Sequence, residues 1–186
     1  MLELFLKLKH VIPDDYVKTV YDISWADIKL TGIKTVFIDL DNTLIPYDVS
    51  IPNQDIEQLI SSIQSFGLQV IIVSNNRGTR VATFSQMVGL DYISSAKKPT
   101  QIGFRKAEKR LGLHRGDQIL LVGDQIMTDV LGGKRRGYKV ILVDPINLSS
   151  EKWFTKMNRR LEKKVIKRIK REDFESYQRL HLHEKR

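Results

Sequence analysis

The sequence predicts an α/β protein with a central parallel sheet that is covered by helices on both faces. Short runs rich in Val, Ile and Leu alternate with segments of helical periodicity, and Gly, Asn or Pro residues separate them. Such alternation is typical of βαβ units, whose strands are continuously apolar because both faces of the sheet are buried. The 186 residues suffice for one domain with a sizeable core. The absence of cysteine excludes disulfides and thiolate metal sites.

Five apolar runs bounded by turn residues are predicted strands, at 34–38, 68–73, 91–94, 118–122 and 139–143. Between them, apolar residues that recur every three or four positions predict helices at 53–66, 77–88, 99–111 and 125–136. Asn75 or Asn76 is the expected N-cap of the second helix, and Pro99 is expected in the first turn of the third. A short amphipathic helix at 1–9 is the predicted lead-in, and we expect it to pack on the domain.

The positive charge of the chain is concentrated at its end. The formal net charge is +9, and residues 151–186 hold 13 Lys and Arg against six Asp and Glu, a net of +7. Residues 150–172 predict one basic amphipathic helix, whose apolar stripe consists of Trp153, Met157, Leu161, Val165 and Ile169. Packing on the domain, contact with a membrane surface and contact with RNA all remain open for this helix. The last residues are expected to fray.

The strongest motif is Asp39-Leu-Asp-Asn-Thr43, which directly follows the first predicted strand. An extended strand end points Asp39 and Asp41 in the same general direction, so that Asp39 could attack phosphorus while Asp41 transfers protons. A turn after the strand is the ordinary alternative for this motif in isolation. A calcium loop is excluded, because its sixth and twelfth positions are Leu44 and Ser50 rather than Gly and Glu.

Two shorter motifs follow the next strands along the chain. Ser74-Asn75-Asn76 offers a hydroxyl and backbone N–H groups to phosphate oxygens, although helix capping explains the same residues. Lys98, which precedes Pro99, could neutralise the charge of a phosphoryl group. Neither motif identifies a site in isolation.

The fourth motif, Gly123-Asp124-Gln-Ile-Met-Thr-Asp129, follows the strand that ends at 122. Asp124 could bind Mg²⁺, Asp129 could support it, and Gly123 would allow the backbone to approach the site closely. Ligands of parallel sheets bind beyond the carboxyl ends of the strands. Because each of the four motifs follows a strand, we predict that they meet at this edge.

The order of these motifs resembles the haloacid dehalogenase (HAD) superfamily of phosphohydrolases over residues 34–145. In more detail, the chain is similar to the YqeG family of bacterial HAD phosphatases, which is related to the mitochondrial phosphatidylglycerophosphate phosphatases. This finer resemblance rests on Val11-Ile-Pro13, Asp39-Leu-Asp-Asn-Thr-Leu44, Ser74-Asn-Asn76, Ala96-Lys-Lys-Pro99 and the motif at 123–129. It implies a three-layer, Rossmann-like HAD core over residues 1–150, with a basic C-terminal helix and tail over residues 151–186.

The resemblance also implies a role for each motif residue. Asp39 is the expected nucleophile, which forms an aspartyl-phosphate intermediate, and Asp41 is the expected general acid and base. The implied phosphate-binding residues are Ser74, Asn75 and Lys98, the last preferred over Lys97 because the family lysine commonly precedes proline. The implied Mg²⁺ ligands are Asp39, Asp124 and the backbone carbonyl of Asp41. The supporting residues are Thr43, Gly123 and Asp129.

The spacing of the motifs leaves no room for a cap domain, because residues 44–52 and 76–97 hold little beyond one helix and one strand each. We therefore expect an open site that accepts a large or surface-bound phosphorylated substrate. The family resemblance makes a lipid phosphate such as phosphatidylglycerophosphate a candidate. The expected location is the cytoplasm, with peripheral contact to the inner face of the membrane, and the oligomeric state stays open.

Two other functions compete with the phosphatase. One is a basic HAD-fold adaptor that binds RNA, ribosomes or a protein partner with little turnover, and the intact Asp39 and Asp41 pair argues against it. The other is a receiver-type signalling domain, in which an aspartate is phosphorylated as a switch. The paired aspartates and the motif at 123–129 fit such a domain poorly.

Overall fold

Six parallel strands form the central sheet of the computed structural model, which describes residues 6–114 and 118–185. The strands are β1 (Asp15–Tyr16), β2 (Thr35–Ile38), β3 (Gln69–Val73), β4 (Asp91–Ile93), β5 (Ile119–Gly123) and β6 (Lys139–Leu142). Their order across the sheet is β1-β6-β5-β2-β3-β4, and all neighbours are parallel. The predicted α/β class is confirmed. The strand order reverses between β2 and β5, which is where such sheets bind ligands.

Helices cover both faces of this sheet. They are α1 (Trp25–Leu30), α2 (Gln54–Ser65), α3 (Thr79–Met87), α4 (Ile102–Arg110), α5 (Leu131–Arg136), α6 (Trp153–Glu172) and α7 (Phe174–Arg179). In the described residues before α1 there are two 3-10 helices, Leu8–His10 and Val20–Asp22, and a π-helix, Ile126–Val130, leads directly into α5. The helices predicted at 53–66, 77–88, 99–111, 125–136 and 150–172 are thus found, with shifts at their ends, whereas β1, α1 and α7 were not predicted.

Alternate residues of β2 join separate hydrophobic clusters on the two faces of the sheet, as the two-residue period of a strand requires. Val36 and Ile38 belong to the cluster covered by α1, α2 and α3, which also contains Trp25, Ile63 and Phe84. Phe37 belongs to the cluster covered by α4, α5 and α6, which also contains Phe104, Leu131, Val165 and Ile169. The fold therefore has three layers, with the sheet in the middle.

The start of α3 differs from the prediction. The helix begins at Thr79 with Gly78 as its N-cap, and neither Asn75 nor Asn76 caps it. The side chain of Asn75 is bonded to the backbone of Lys98 instead. The asparagines that looked like caps therefore belong to the edge of the sheet, where the motifs lie.

The starts of the next two helices also differ. Because α4 begins at Ile102, Pro99 lies before the helix rather than in its first turn, and the Lys98–Pro99 peptide bond is cis. The segment predicted as one helix over 125–136 begins as the π-helix and becomes α-helical only at Leu131. Both changes adjust the backbone directly beside motif residues.

The predicted basic helix is α6, but its apolar stripe is buried only along the second half. Val165 and Ile169 are buried on the sheet. Trp153 is 76% exposed and Met157 is 49% exposed. Packing on the domain thus accounts for the second half of the stripe, while the first half is exposed among the described residues.

The residues after α6 return to the sheet. Leu180 and Leu182 are buried in the same cluster as Val165. The Lys185 ammonium donates to the Val143 carbonyl at 2.8 Å. The expectation that the end of the chain frays is therefore wrong for residues 173–185.

Within the described part of the chain, no helix has both the length and the apolar character that a bilayer-spanning segment needs. Of the helix predicted at 1–9, the first five residues lie outside the described ranges. The remainder contains the 3-10 helix Leu8–His10, and Leu6 and Leu8 pack against the hydrophobic cluster that contains Phe37.

Candidate active site

The four motifs lie together at the carboxyl edge of the sheet. Asp39 follows β2, Ser74 follows β3 and Asp124 follows β5. The Asp39 N–H donates to the Val122 carbonyl at 2.9 Å, and the Ser74 N–H donates to the Ile93 carbonyl at 2.9 Å. The hydrogen-bond ladder of the sheet thus continues into both residues. Their backbone positions are set by the sheet and not by a loose loop.

Lys98 is at the centre of the site, because its ammonium joins two buried carboxylates. Its Nζ donates to Asp39 Oδ1 at 2.7 Å and to Asp129 Oδ1 at 2.6 Å. Lys98 is buried in this cluster, whereas Lys97 is exposed. Asn75 fixes the lysine backbone: its Oδ1 accepts from the Lys98 N–H at 2.7 Å, and its Nδ2 donates to the Lys98 carbonyl at 3.0 Å.

Asp129 is held on both of its oxygens. Besides the bond from Lys98 to Oδ1, Oδ2 accepts from the Gln125 N–H at 3.2 Å and from the Thr128 hydroxyl at 3.1 Å. A Cβ added to Gly123 would lie 2.4 Å from Asp129 Cγ, so the carboxylate packs directly on the glycine backbone. A side chain at position 123 would displace Asp129.

Asp41 faces a different set of partners. Ser74 Oγ donates to its Oδ2 at 3.1 Å, and Asn76 Nδ2 donates to its Oδ1 at 3.4 Å. Arg80, in the first turn of α3, forms an ion pair with the same carboxylate and donates to the Pro46 carbonyl at 2.7 Å. Ser74 is fully buried behind Asp41. Arg80 was not predicted, because its position on a helix does not reveal that its side chain points back to the sheet.

Arg159 of α6 is the largest addition to the predicted site. Its guanidinium forms an ion pair with the Asp124 carboxylate and donates to the Asp124 backbone carbonyl at 2.7 Å. The same group contacts Glu151 at 2.9 Å and Glu162 at 3.1 Å. Glu162 Oε1 in turn accepts from the Ile126 N–H at 2.7 Å. The C-terminal helix is thereby bonded directly to the motif that follows β5.

One sequence feature could have revealed Arg159. Glu151 and Glu162 are the only acids between 151 and 171, and both bind Arg159. Two isolated acids in so basic a segment indicate an internal partner. The position of Arg159 among exposed lysines concealed it.

Asn42 and Thr43 complete the loop after β2. Asn42 has a φ of 62°, in the left-handed region that Asn tolerates better than most residues. Its Nδ2 donates to the Asn147 carbonyl at 3.0 Å and to Glu151 Oε1 at 3.2 Å. The Thr43 hydroxyl donates to Asp124 Oδ1 at 3.5 Å. Both residues connect the loop that carries Asp39 with neighbouring segments.

The buried acids fit a divalent cation. Oxygens of Asp39, Asp124 and Asp129 lie within 4.8 Å of one another, and all three residues are buried. Carboxylate oxygens are hard donors of the kind that Mg²⁺ prefers. The cluster contains Asp129 in addition to the two predicted carboxylate ligands, while the side chain of Asp41 points to Ser74 and leaves only its backbone carbonyl for a metal.

The local charge also favours a bound cation. The ion pairs of Lys98 and Arg159 join two cations to five carboxylates, a formal charge of −3 when all are ionised. Burial, together with the neighbouring carboxylates, raises the pKa of Asp39 well above its ordinary value, and Lys98 offsets this only in part. Burial raises the pKa of Asp124 to about 6 despite the opposing effect of Arg159. A bound cation would stabilise the ionised form of both acids.

Burial alone would lower the pKa of Lys98, but the carboxylates of Asp129 and Asp39 raise it above its ordinary value. The ammonium is therefore fully charged at neutral pH. A positive charge that is held permanently beside Asp39 is suited to binding an anionic group.

A cavity of about 560 Å³ opens above these residues. Asp39, Asp41, Asn75 and Lys98 form its polar floor. Part of its wall comes from α6 and consists of Phe154, Met157, Asn158 and Leu161. The tail that looked separate from the sheet in the sequence thus lines the site.

The chain is similar to known phosphatases. The model of a family described as mitochondrial PGP phosphatase matches residues 1–147. The protein named Probable phosphatase YqeG of Bacillus subtilis (strain 168) is 36% identical over 163 residues, which cover 88% of this chain and 94% of that protein. Phosphatidylglycerophosphate phosphatase 1, chloroplastic/mitochondrial, of Arabidopsis thaliana is 27% identical over 169 residues, which cover 85% of this chain and 48% of that protein. The similarity predicted from the motifs is confirmed.

A solved structure supports the fold. A candidate 3-deoxy-D-manno-octulosonate 8-phosphate phosphatase from Vibrio cholerae matches 71% of this chain and 79% of its own chain, with a TM-score of 0.50. At 16% sequence identity, this likeness concerns the fold alone.

The Arg159 network predicts a large loss of stability in the variant Arg159→Met. The change leaves Asp124, Glu151 and Glu162 buried without their shared cation, and breaking a buried ion pair costs about 3–5 kcal/mol. The free energy of unfolding, measured by urea denaturation, should fall by that amount.

Arg160→Met is the matched control, because Arg160 is the exposed neighbour on the same helix. Its free energy of unfolding should stay within about 0.5 kcal/mol of the unmodified protein. Similar small changes in both variants would contradict the assigned role of Arg159.

Proposed function

Because this chain is a phosphatase that belongs to the family of mitochondrial PGP phosphatases, we propose that it hydrolyses a phosphate monoester through an aspartyl-phosphate formed on Asp39. One observation carries this proposal: Asp39 lies on the floor of an open cavity with Lys98 bonded to its Oδ1 at 2.7 Å. The bond leaves Oδ2 as the attacking oxygen. The same ammonium would bind the phosphoryl oxygens.

In the first half of the reaction, Asp39 Oδ2 attacks phosphorus and the bond from phosphorus to the leaving oxygen breaks. Asp41 enters this step as the carboxylic acid, donates its proton to that oxygen and becomes a carboxylate. In the second half, Asp41 accepts a proton from water, which attacks phosphorus and releases inorganic phosphate and free Asp39. The role of Asp41 requires its carboxylate to turn from Ser74 and Arg80 toward the leaving oxygen.

The metal that suits this site is Mg²⁺. Asp39 and Asp124 would hold it through carboxylate oxygens and Asp41 through its backbone carbonyl, while Asp129 keeps Lys98 in position. When bound, Mg²⁺ supplies charge stabilisation for the phosphoryl oxygens in the transition state. The −3 formal charge around Lys98 and Arg159 supports this assignment.

The proposed substrate is a phosphate monoester carried on a lipid headgroup, such as phosphatidylglycerophosphate. Three features support it: the absence of a cap over the described cavity, the apolar side chains Phe154, Met157 and Leu161 in its wall, and the substrates named in the curated relatives. The proposed location is the cytoplasmic face of a membrane.

The nucleophile is tested with Asp39→Asn. An amide cannot attack phosphorus, so phosphatase turnover should fall at least on the order of 10³-fold while the melting temperature stays near that of the unmodified protein. Asp48→Asn, the same change at an exposed position of the same edge, should leave turnover unaltered. Beryllium fluoride should be found on Asp39 in a trapped complex. Normal turnover in folded Asp39→Asn would exclude the mechanism.

The metal is tested by chelation and by calorimetry. EDTA should abolish turnover, and added Mg²⁺ should restore it. Asp124→Asn removes one charged ligand and should weaken Mg²⁺ binding by at least about tenfold in titration calorimetry. Asp91→Asn, at the exposed amino end of β4, serves as the control and should bind as the unmodified protein does. Undiminished turnover in EDTA would remove the metal from the proposal.

The substrate is tested by comparing molecules with similar phosphate groups. The specificity constant kcat/KM for phosphatidylglycerophosphate should exceed that for glycerol 3-phosphate by at least about tenfold, or about 1.4 kcal/mol of transition-state binding. Sugar and nucleotide monophosphates should be poorer still. Preference for any of these soluble compounds would exclude a lipid substrate.

A further inference from the structure

The first two turns of α6 expose apolar side chains that have no packing role in the described chain. Trp153 is 76% exposed, Phe154 43% and Met157 49%. The two aromatic rings contact each other edge to face, with centroids 6.1 Å apart, and so form one projecting unit. An exposed group of large apolar side chains marks an interaction surface more often than scattered ones do.

Two of these residues lie in the wall of the candidate active site. Phe154 and Met157 line the cavity whose floor holds Asp39 and Lys98. Further exposed apolar residues follow β2 and β6 at the same edge of the sheet: Leu148, together with Val49, Ile51 and Ile146, which line a separate cavity. Whatever covers this surface will also face the cavity.

Positive charges flank the apolar side chains. Lys152, Lys156, Arg160 and Lys163 are exposed on the same helix. The Lys152 ammonium lies over the ring of Tyr47, 5.7 Å from its centroid, and Tyr47 lines the cavity. Lys156, Arg160 and Lys163 line a neighbouring groove together with Leu148. Apolar and basic side chains therefore form one continuous surface.

This combination favours one kind of partner. A second copy of the chain would bring the same lysines against one another, which costs free energy. RNA would satisfy the positive charges through its phosphates, but it offers nothing to the aliphatic Met157 and Leu148. An anionic lipid bilayer satisfies both, because apolar side chains enter the acyl boundary while lysines and arginines bind the headgroups.

We propose that Trp153, Phe154 and Met157, flanked by Lys152, Lys156, Arg160 and Lys163, dock the cavity directly on an anionic bilayer. This inference rests on the proposed function and makes it more specific. The docked surface is the exposed face of residues 152–163, since Val165 and Ile169 further along α6 pack on the sheet. A headgroup phosphate would then enter the cavity without the lipid leaving the membrane.

Trp153 provides the test, because Trp25, the other tryptophan, is buried in the core. Vesicles of phosphatidylglycerol and phosphatidylcholine should shift the protein fluorescence to shorter wavelength, and brominated acyl chains should quench it. Trp153→Ser should abolish this response and weaken flotation with the vesicles by at least about tenfold. Leu30→Ser is the control, because Leu30 is 85% exposed but precedes β2, at the amino edge.

The charges are tested by a second matched pair. The double change Lys156→Glu and Lys163→Glu should lower vesicle affinity by at least about tenfold, and added salt should do the same. The control is Lys34→Glu with Lys139→Glu, two exposed lysines at the amino edge, which should bind as the unmodified protein does. Pure phosphatidylcholine vesicles should not bind either form.

Several results would overturn the docking. Equal losses of vesicle affinity in a variant and its matched control would do so. Vesicle binding that does not depend on the content of anionic lipid would also do so. Dimer dissociation or loss of RNA binding in Trp153→Ser, without any vesicle binding by the unmodified protein, would assign the surface to another partner. Hydrolysis of p-nitrophenyl phosphate separates the two proposals: its absence counts against the phosphatase mechanism, whereas failure to bind vesicles with normal hydrolysis counts against docking alone.

Discussion

Two buried cations organise the carboxyl edge of this sheet. Lys98 holds Asp39 and Asp129, and Arg159 holds Asp124 together with two glutamates. Without these cations the acids would repel one another in a medium that screens charge poorly. The acids in turn define where the strand ends, the π-helix and α6 must lie, so the geometry of the site and the packing of the fold depend on the same ion pairs.

The parts of the site that the sequence predicted are those fixed by the sheet. Parallel strands bring their carboxyl ends to one edge, so Asp39, Ser74 and Asp124 could be placed together once the strands were recognised. Lys98 and Asp129 follow the same logic, since short loops keep them near the strand ends. The fold class and the meeting of the four motifs needed only periodicity and chain order.

The remaining contacts depend on the directions of individual side chains, which the hydrophobic periodicity of the sequence does not encode. The partners Arg159 and Asp124, and likewise Asn42 and Glu151, lie far apart in the chain. The local sequence around each of these residues does not indicate the direction of its side chain. The π-helix and the exposure of the apolar side chains in the first half of α6 were not predicted, for a related reason. Both follow from the packing of the C-terminal segment on the sheet, and this packing is a tertiary interaction.

Met157 and Arg159 are separated by a single residue of one helix, yet one side chain is exposed at the mouth of the cavity and the other holds Asp124. A helix transmits displacement with little loss, so a ligand that shifts the outer face of α6 also shifts the guanidinium inside. Linkage makes such an effect reciprocal. If a ligand on the outer face changes the affinity of the acids for a cation, the cation changes the affinity of that ligand by the same factor. Occupancy of the outer face of the helix would then be communicated to the inner face by equilibrium alone.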